Sequence, residues 1–240
     1  MIEKNSASAS SLLETTNFNT LLMRTLAAFT GASVGILVFL GALFLGSSAM
    51  NASLLTTQIE GEMHPLFILL ALLSVFLALS AANLAGGAMW MYTDQKRFPN
   101  FFSTLSQILG INIIVLLFFA PLYLAASGLN TAVLIVLTLF HILLTTSHTL
   151  LILEGIADHR YLIVTLYGLI MGAFVSLLIN GWLYLIMPKL IIFAALPISW
   201  FWLASGVGLS QYLYTWIYRI FGTDFLNIET RYGQDYELKS

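Results

Sequence analysis

The sequence predicts an all-α, polytopic membrane protein: a transmembrane helical bundle of six spans with both termini on the cytoplasmic side. Three observations carry this. The 240 residues are 59% hydrophobic and only 8% charged, where a soluble domain is about 45–50% apolar and about 25% charged. The charges are segregated, so that Thr25 to Ile59, Met63 to Thr93, Phe98 to Leu153 and Tyr161 to Pro188 hold none. The basic residues then fall almost entirely on one side of the resulting topology. These numbers exclude a soluble globular domain, and a disordered chain with it.

A spanning helix needs about 20 apolar residues, at about 1.5 Å each, to cross about 30 Å of hydrocarbon. Span 1 is expected at 26–50. Span 2 is expected at 65–92, opening on Pro65, whose missing N–H costs nothing in a first helical turn. The run from Phe98 to Leu153 is too long for one crossing and suits two. Its break is Ala125-Ala126-Ser127-Gly128-Leu129-Asn130, small and turn-prone. Span 3 is therefore expected at 101–124 and span 4 at 131–153, as a tight hairpin. Span 5 is expected at 161–186, ended by Met187-Pro188-Lys189. For span 6 the expectation is 197–218, starting at Pro197, with Trp200 and Trp202 at an interface, where indoles concentrate. Leu190–Leu196 would then be a short interfacial or re-entrant piece. The domain description is a polar tail at 1–20, a membrane domain at 21–218 and a C-terminal tail at 219–240.

Six spans send Lys4, Arg24, Lys96, Arg97, Arg160, Arg219, Arg231 and Lys239 to one side and Lys189 alone to the other. The positive-inside rule makes the first side cytoplasmic, which fits a plasma or inner membrane. An odd span count would scramble that asymmetry. The first apolar run is too long for a cleaved signal peptide, although Ser47-Ser48-Ala49 faintly resembles a cleavage site. The sequon Asn51-Ala52-Ser53 is read as incidental.

Absence of cysteine removes disulfides, thiolate metal sites and c-type haem attachment. A net charge of −2 without a basic cluster argues against nucleic acid. The expected partners are the lipid bilayer and, beyond it, a second copy or another membrane protein. No metal and no cofactor is expected. A b-type haem wants axial histidines from opposing helices, and neither His64 nor His159 matches the depth of His141.

Lipid is as apolar as leucine, so membrane helices associate through close packing and hydrogen bonds. Small residues at four-residue steps mark packing faces: Gly31 and Gly35 on span 1, and Gly168, Gly172 and Ser176 on span 5. The plain reading is packing within one bundle. The sharper one is that a face, above all that of span 5, binds another chain.

One polar constellation stands out. On span 4, Thr138, His141, Thr145 and His148 step by three, four and three, and share a helix face. In a hairpin turning near 127.5, residues of equal depth have numbers summing to about 255, which pairs Gln107 with His148 and nearly pairs Asn112 with His141. Asn83 of span 2 lies near the depth of His148. Ionisable groups inside a membrane are costly and face a bundle interior or a wet cavity. Imidazole titrates near neutrality and carries both a donor and an acceptor nitrogen. The leading functional expectation is thus a small proton- or solute-conducting transporter or channel using the seam between spans 3 and 4. The alternatives are a non-enzymatic scaffold or assembly subunit and a lipid-modifying enzyme.

Enzymatic signatures are thin. No aspartate lies inside a span, and no His-Glu-x-x-His motif occurs. Glu154, Asp158, His159 and Arg160 read as a solvated loop cluster.

Overall fold

The structure is a computed structural model that describes residues 18–51, 65–93, 100–126, 131–157, 162–188 and 190–221. These residues form six long helices: α1 (Phe18–Asn51), α2 (Pro65–Thr93), α3 (Phe101–Ala126), α4 (Thr131–Ala157), α5 (Leu162–Ile186) and α6 (Ile191–Phe221). All six contain segments long and apolar enough to cross a membrane. Among the described residues the fold is all-helical, and its six long apolar helices are those of an integral membrane protein.

Helices α2 to α5 begin where the charge pattern puts them, within a residue. Two elements differ. Helix α1 starts at Phe18 rather than at 26, because Arg24 does not end the helix but is buried inside the bundle. Leu190–Leu196 is not a separate piece. Helix α6 runs through it from Ile191, with Pro197 inside the helix. Pro197 removes one backbone donor and crowds the carbonyl four residues earlier, yet such prolines are tolerated in membrane helices because neighbours re-satisfy the backbone. Pro121 sits inside α3 in the same way. The polar turn expected at 127–130 and the loop cluster at Asp158, His159 and Arg160 lie outside the described residues.

Successive helices run antiparallel. Positions rising along α1 meet positions falling along α2: Gly31 faces Ala82 and Gly86, and Gly35 faces Ala78 and Ala82. The same α1 glycines meet Trp200 and then Leu196, so α6 also runs against α1. On the other side, Gly168 faces Val207 and Gly172 faces Leu203, fixing α5 on α6. The bundle thus has a basic end, where α1 starts and α6 finishes, and an opposite, distal end.

The small-residue faces are used up inside this packing. A Cβ on Gly31 would stand 2.9 Å from the Ala82 carbonyl oxygen and 3.2 Å from the Gly86 Cα. One on Gly168 would stand 2.6 Å from the Gly206 carbonyl oxygen and 2.7 Å from the Val207 Cα. These are backbone atoms and cannot swing aside, so only glycine allows the approach. Ser176 on the same α5 face donates a 3.0 Å hydrogen bond to Ser199 of α6. The face of α5 that the sequence offers to a second chain is therefore occupied by α6.

Side chains sort as a bilayer requires. Leu37, Leu117, Phe118, Phe174 and Leu185 point outward and are well exposed. Asn83, Asn112, Thr145, Thr146, Thr165 and Asn180 are buried, because in hydrocarbon a polar group is affordable only against another polar group. The apolar core centres on α2, α4 and α6, around Leu79, Leu150, Trp200 and Leu203.

Candidate functional site

Helix α4 carries the polar spine of the bundle. Its inward face holds His141, Thr145, Thr146, Thr149 and Glu154, and three groups of partners from other helices meet it at successive depths.

The first group surrounds His141, which is 1% exposed. The Phe119 ring of α3 stacks on the imidazole, with centroids 4.7 Å apart and planes 9° from parallel. The Thr138 hydroxyl donates to the Leu134 carbonyl at 2.8 Å. Its proton is thereby used, so it can only accept from Tyr123, whose hydroxyl lies 3.1 Å away. The Tyr123 proton is committed in turn. Tyr123 also lies 3.4 Å from His141 Nδ1, and with the Tyr123 proton on Thr138 the imidazole is the donor along this contact. The result is a directed chain: His141 Nδ1–H to Tyr123 O–H to Thr138 O–H to the Leu134 carbonyl. This tautomer leaves Nε2 with its lone pair, and Nε2 has no hydrogen-bond partner among the described residues.

The second group centres on Asn83 of α2, fully buried. Its Oδ1 accepts from Trp200 Nε1 at 2.8 Å and from Thr146 Oγ1 at 3.4 Å. Its Nδ2 donates to Asn112 Oδ1 at 2.9 Å. One amide thus ties α2 to α3, α4 and α6.

The third group lies at the basic end. Arg24 of α1 approaches Glu154 of α4, with Nη2 at 2.9 Å from Oε1. Trp90 of α2 donates its indole N–H to the same carboxylate oxygen at 3.2 Å, and the Arg24 guanidinium carbon lies 4.7 Å from the centroid of the Trp90 ring. Arg24 is 4% exposed and Glu154 is not exposed at all. A carboxylate and a guanidinium so buried are tolerated only together, each neutralising the field of the other.

The residues expected from sequence separate as follows. His141, Thr145, Asn83 and Asn112 are buried, and Thr138 joins them at the edge. His148 does not. It is partly exposed at the margin of the face, and its Nδ1 lies 2.7 Å from the Leu144 carbonyl of its own helix. Gln107 is exposed and meets no histidine. Asn112 bonds Asn83 rather than His141. The depth rule fails by a countable amount. Phe119 and His141 sum to 260 and Tyr123 and Thr138 to 261, against the 255 assumed. Helix α3 continues to Ala126, two residues past its expected end, which accounts for two of the five or six. The aromatics move too: Trp200, expected at an interface, is a buried hydrogen-bonding group, and so are Trp90 and Tyr123.

Glu154 is the largest correction to the sequence reading. It belongs to no solvated loop cluster but is buried against Arg24 and Trp90. A signal existed. Arg24 and Glu154 are the charges that immediately border two charge-free runs, and six alternating spans bring those borders to the same end. Opposite charges so placed are candidates for pairing.

No protein-family model, no curated protein and no solved structure matches this chain.

Proposed function

We propose that the protein is a small proton-conducting transporter or channel-like protein whose path runs along the inward face of α4, with His141 as the relay group. The observation that carries this reading is the hydrogen-bond polarity at His141. One ring nitrogen feeds a hydroxyl chain through Tyr123 and Thr138, while Nε2 holds a lone pair on the other side of the ring. A proton accepted at Nε2 and released from Nδ1 to the Tyr123 oxygen would cross the imidazole, and Tyr123, three residues from the distal end of α3, would pass its own hydroxyl proton to water there. An ionisable group this deep in a span is expensive to keep, and such groups mark ion pathways. In this reading the basic end faces the cytoplasm, in keeping with the distribution of Lys and Arg.

The path differs from a seam confined to α3 and α4. Below His141 the polar groups that follow are Asn112 and Asn83, then Trp90, Glu154 and Arg24, contributed by four helices. His148 and Gln107 are outside it.

The test is proton flux into liposomes holding purified protein, driven by a potassium diffusion potential and read with an entrapped pH dye. The wild type should conduct above protein-free liposomes, and His141→Leu should lose that flux. A wild type no faster than empty liposomes, or a leucine variant as fast as the wild type, overturns the reading.

A second reading, a scaffold or assembly subunit without substrate, is favoured by one observation: Asn83 is bonded to three other helices, as a purely structural clasp would be. It predicts no flux in either protein.

A further inference from the structure

The distal half of the bundle contains a cavity of about 310 Å³ between α1, α2, α4 and α6. We infer that this cavity is a binding site for one hydrocarbon chain of a bilayer lipid, entering from the distal leaflet. The inference does not depend on the proton path.

Three features specify the occupant. The first is chemistry. The walls are made of side chains such as Phe39, Val75, Leu139 and Leu196, and among the described residues no charged one lines them. The two hydroxyls present, Ser74 and Thr138, donate to the Leu70 and Leu134 carbonyls of their own helices at 2.8 Å each. Neither has a proton left for a polar guest, and an apolar cavity of this kind does not hold water. The second is shape. Along α4 the lining runs from Leu134 to Ile142, about 12 Å at 1.5 Å per residue. One leaflet contributes about half of the roughly 30 Å of hydrocarbon. The cavity therefore has the depth of one leaflet's chain region, the dimension of an extended acyl chain rather than of a compact solute. The third is position. All four lining segments lie in the distal halves of their helices, where the surrounding solvent is itself hydrocarbon. An unfilled apolar void forfeits the dispersion contacts of its walls, and a lipid chain restores them without dehydrating anything.

The cavity also touches the His141 chain, because Thr138 is both a wall residue and the acceptor of the Tyr123 hydroxyl. A chain in the cavity would press on that hydroxyl pair.

The experiment reconstitutes the full-length protein with a phosphatidylcholine whose acyl chain carries a diazirine. The sample is irradiated, and the adducts are mapped by mass spectrometry. The expected result is labelling of Val75, Ile135 and Leu139 several-fold above that of the outward-facing Leu117, Phe118 and Ile170. Ser74→Phe and Ile135→Trp, which fill the cavity, should drop that ratio well below one. Even labelling of cavity and outer residues in the wild type overturns the inference, and so does cavity labelling that persists in both variants. Should neither variant fold, the wild-type ratio alone decides. A free diazirine-bearing hydrocarbon without a headgroup, labelling the cavity where the lipid does not, would show a lipid-soluble solute in its place and overturn the assignment to lipid.

Discussion

The Arg24 guanidinium stands 2.9 Å from the Glu154 carboxylate, with both side chains excluded from the surface and Trp90 bonded to the same oxygen. This pair joins the start of α1 to the end of α4 across the basic end of the bundle. Removing one partner strands a buried charge, which costs about 3–5 kcal/mol, whereas removing both can be nearly neutral. Glu154→Leu should therefore lower the unfolding midpoint in detergent sharply, and Arg24→Met combined with Glu154→Leu should recover most of the loss. A single variant as stable as the wild type would mean that the pair holds nothing together.

Asn83 makes three interhelical hydrogen bonds. At about 0.6 kcal/mol each, the membrane average, Asn83→Leu should destabilise the bundle by about 2 kcal/mol. Trp200→Phe keeps most of the ring and removes one bond, and should cost about a third of that. A double-mutant cycle between the two positions, read by denaturation in mixed micelles, checks the shared term.

Glycines separate into two classes. Gly168→Ala drives a methyl into the Gly206 and Val207 backbone of α6 and should destabilise the α5–α6 pair, with loss of folded protein on size exclusion. At Gly110 and Gly181 an added Cβ meets nothing within 4 Å. Alanine there should be neutral or slightly stabilising, by up to about 1 kcal/mol from helix propensity.

The histidines should divide in the same way. His148→Ala removes a partly exposed ring bonded only to its own helix and should leave proton flux unchanged. Tyr123→Phe deletes the hydroxyl that connects His141 to Thr138 and should slow flux several-fold while leaving the fold intact. Equal effects of the two substitutions on flux would remove Tyr123 from the path.

The bundle was legible in the sequence because its cause is one-dimensional. Hydrocarbon excludes charge, so the intervals between charges count the crossings, and helix starts follow to within a residue for α2 to α5. The same logic misled at Arg24. A charge reads as the edge of a helix, yet a paired charge can sit within one. Glycine spacing revealed packing faces but not their partners, because Gly172 reads identically whether it meets α6 or a second chain. The histidine stripe was visible by period. Only His141 proved central, since a face four residues wide on paper is divided by where Phe119 and Trp200 happen to reach.

By itself, the sequence determined the class, the number of helices and the residues too polar for lipid, since these depend on the solvent around each residue taken singly. Tertiary structure decided which polar residues meet: Asn83 with Trp200, Arg24 with Glu154, His141 with Tyr123. The reason is geometric. Partners 18 to 130 positions apart are chosen by helix tilt, rotation and register, and a shift of five residues in one hairpin, invisible in any hydropathy pattern, exchanges an amide for an aromatic ring beside the same imidazole.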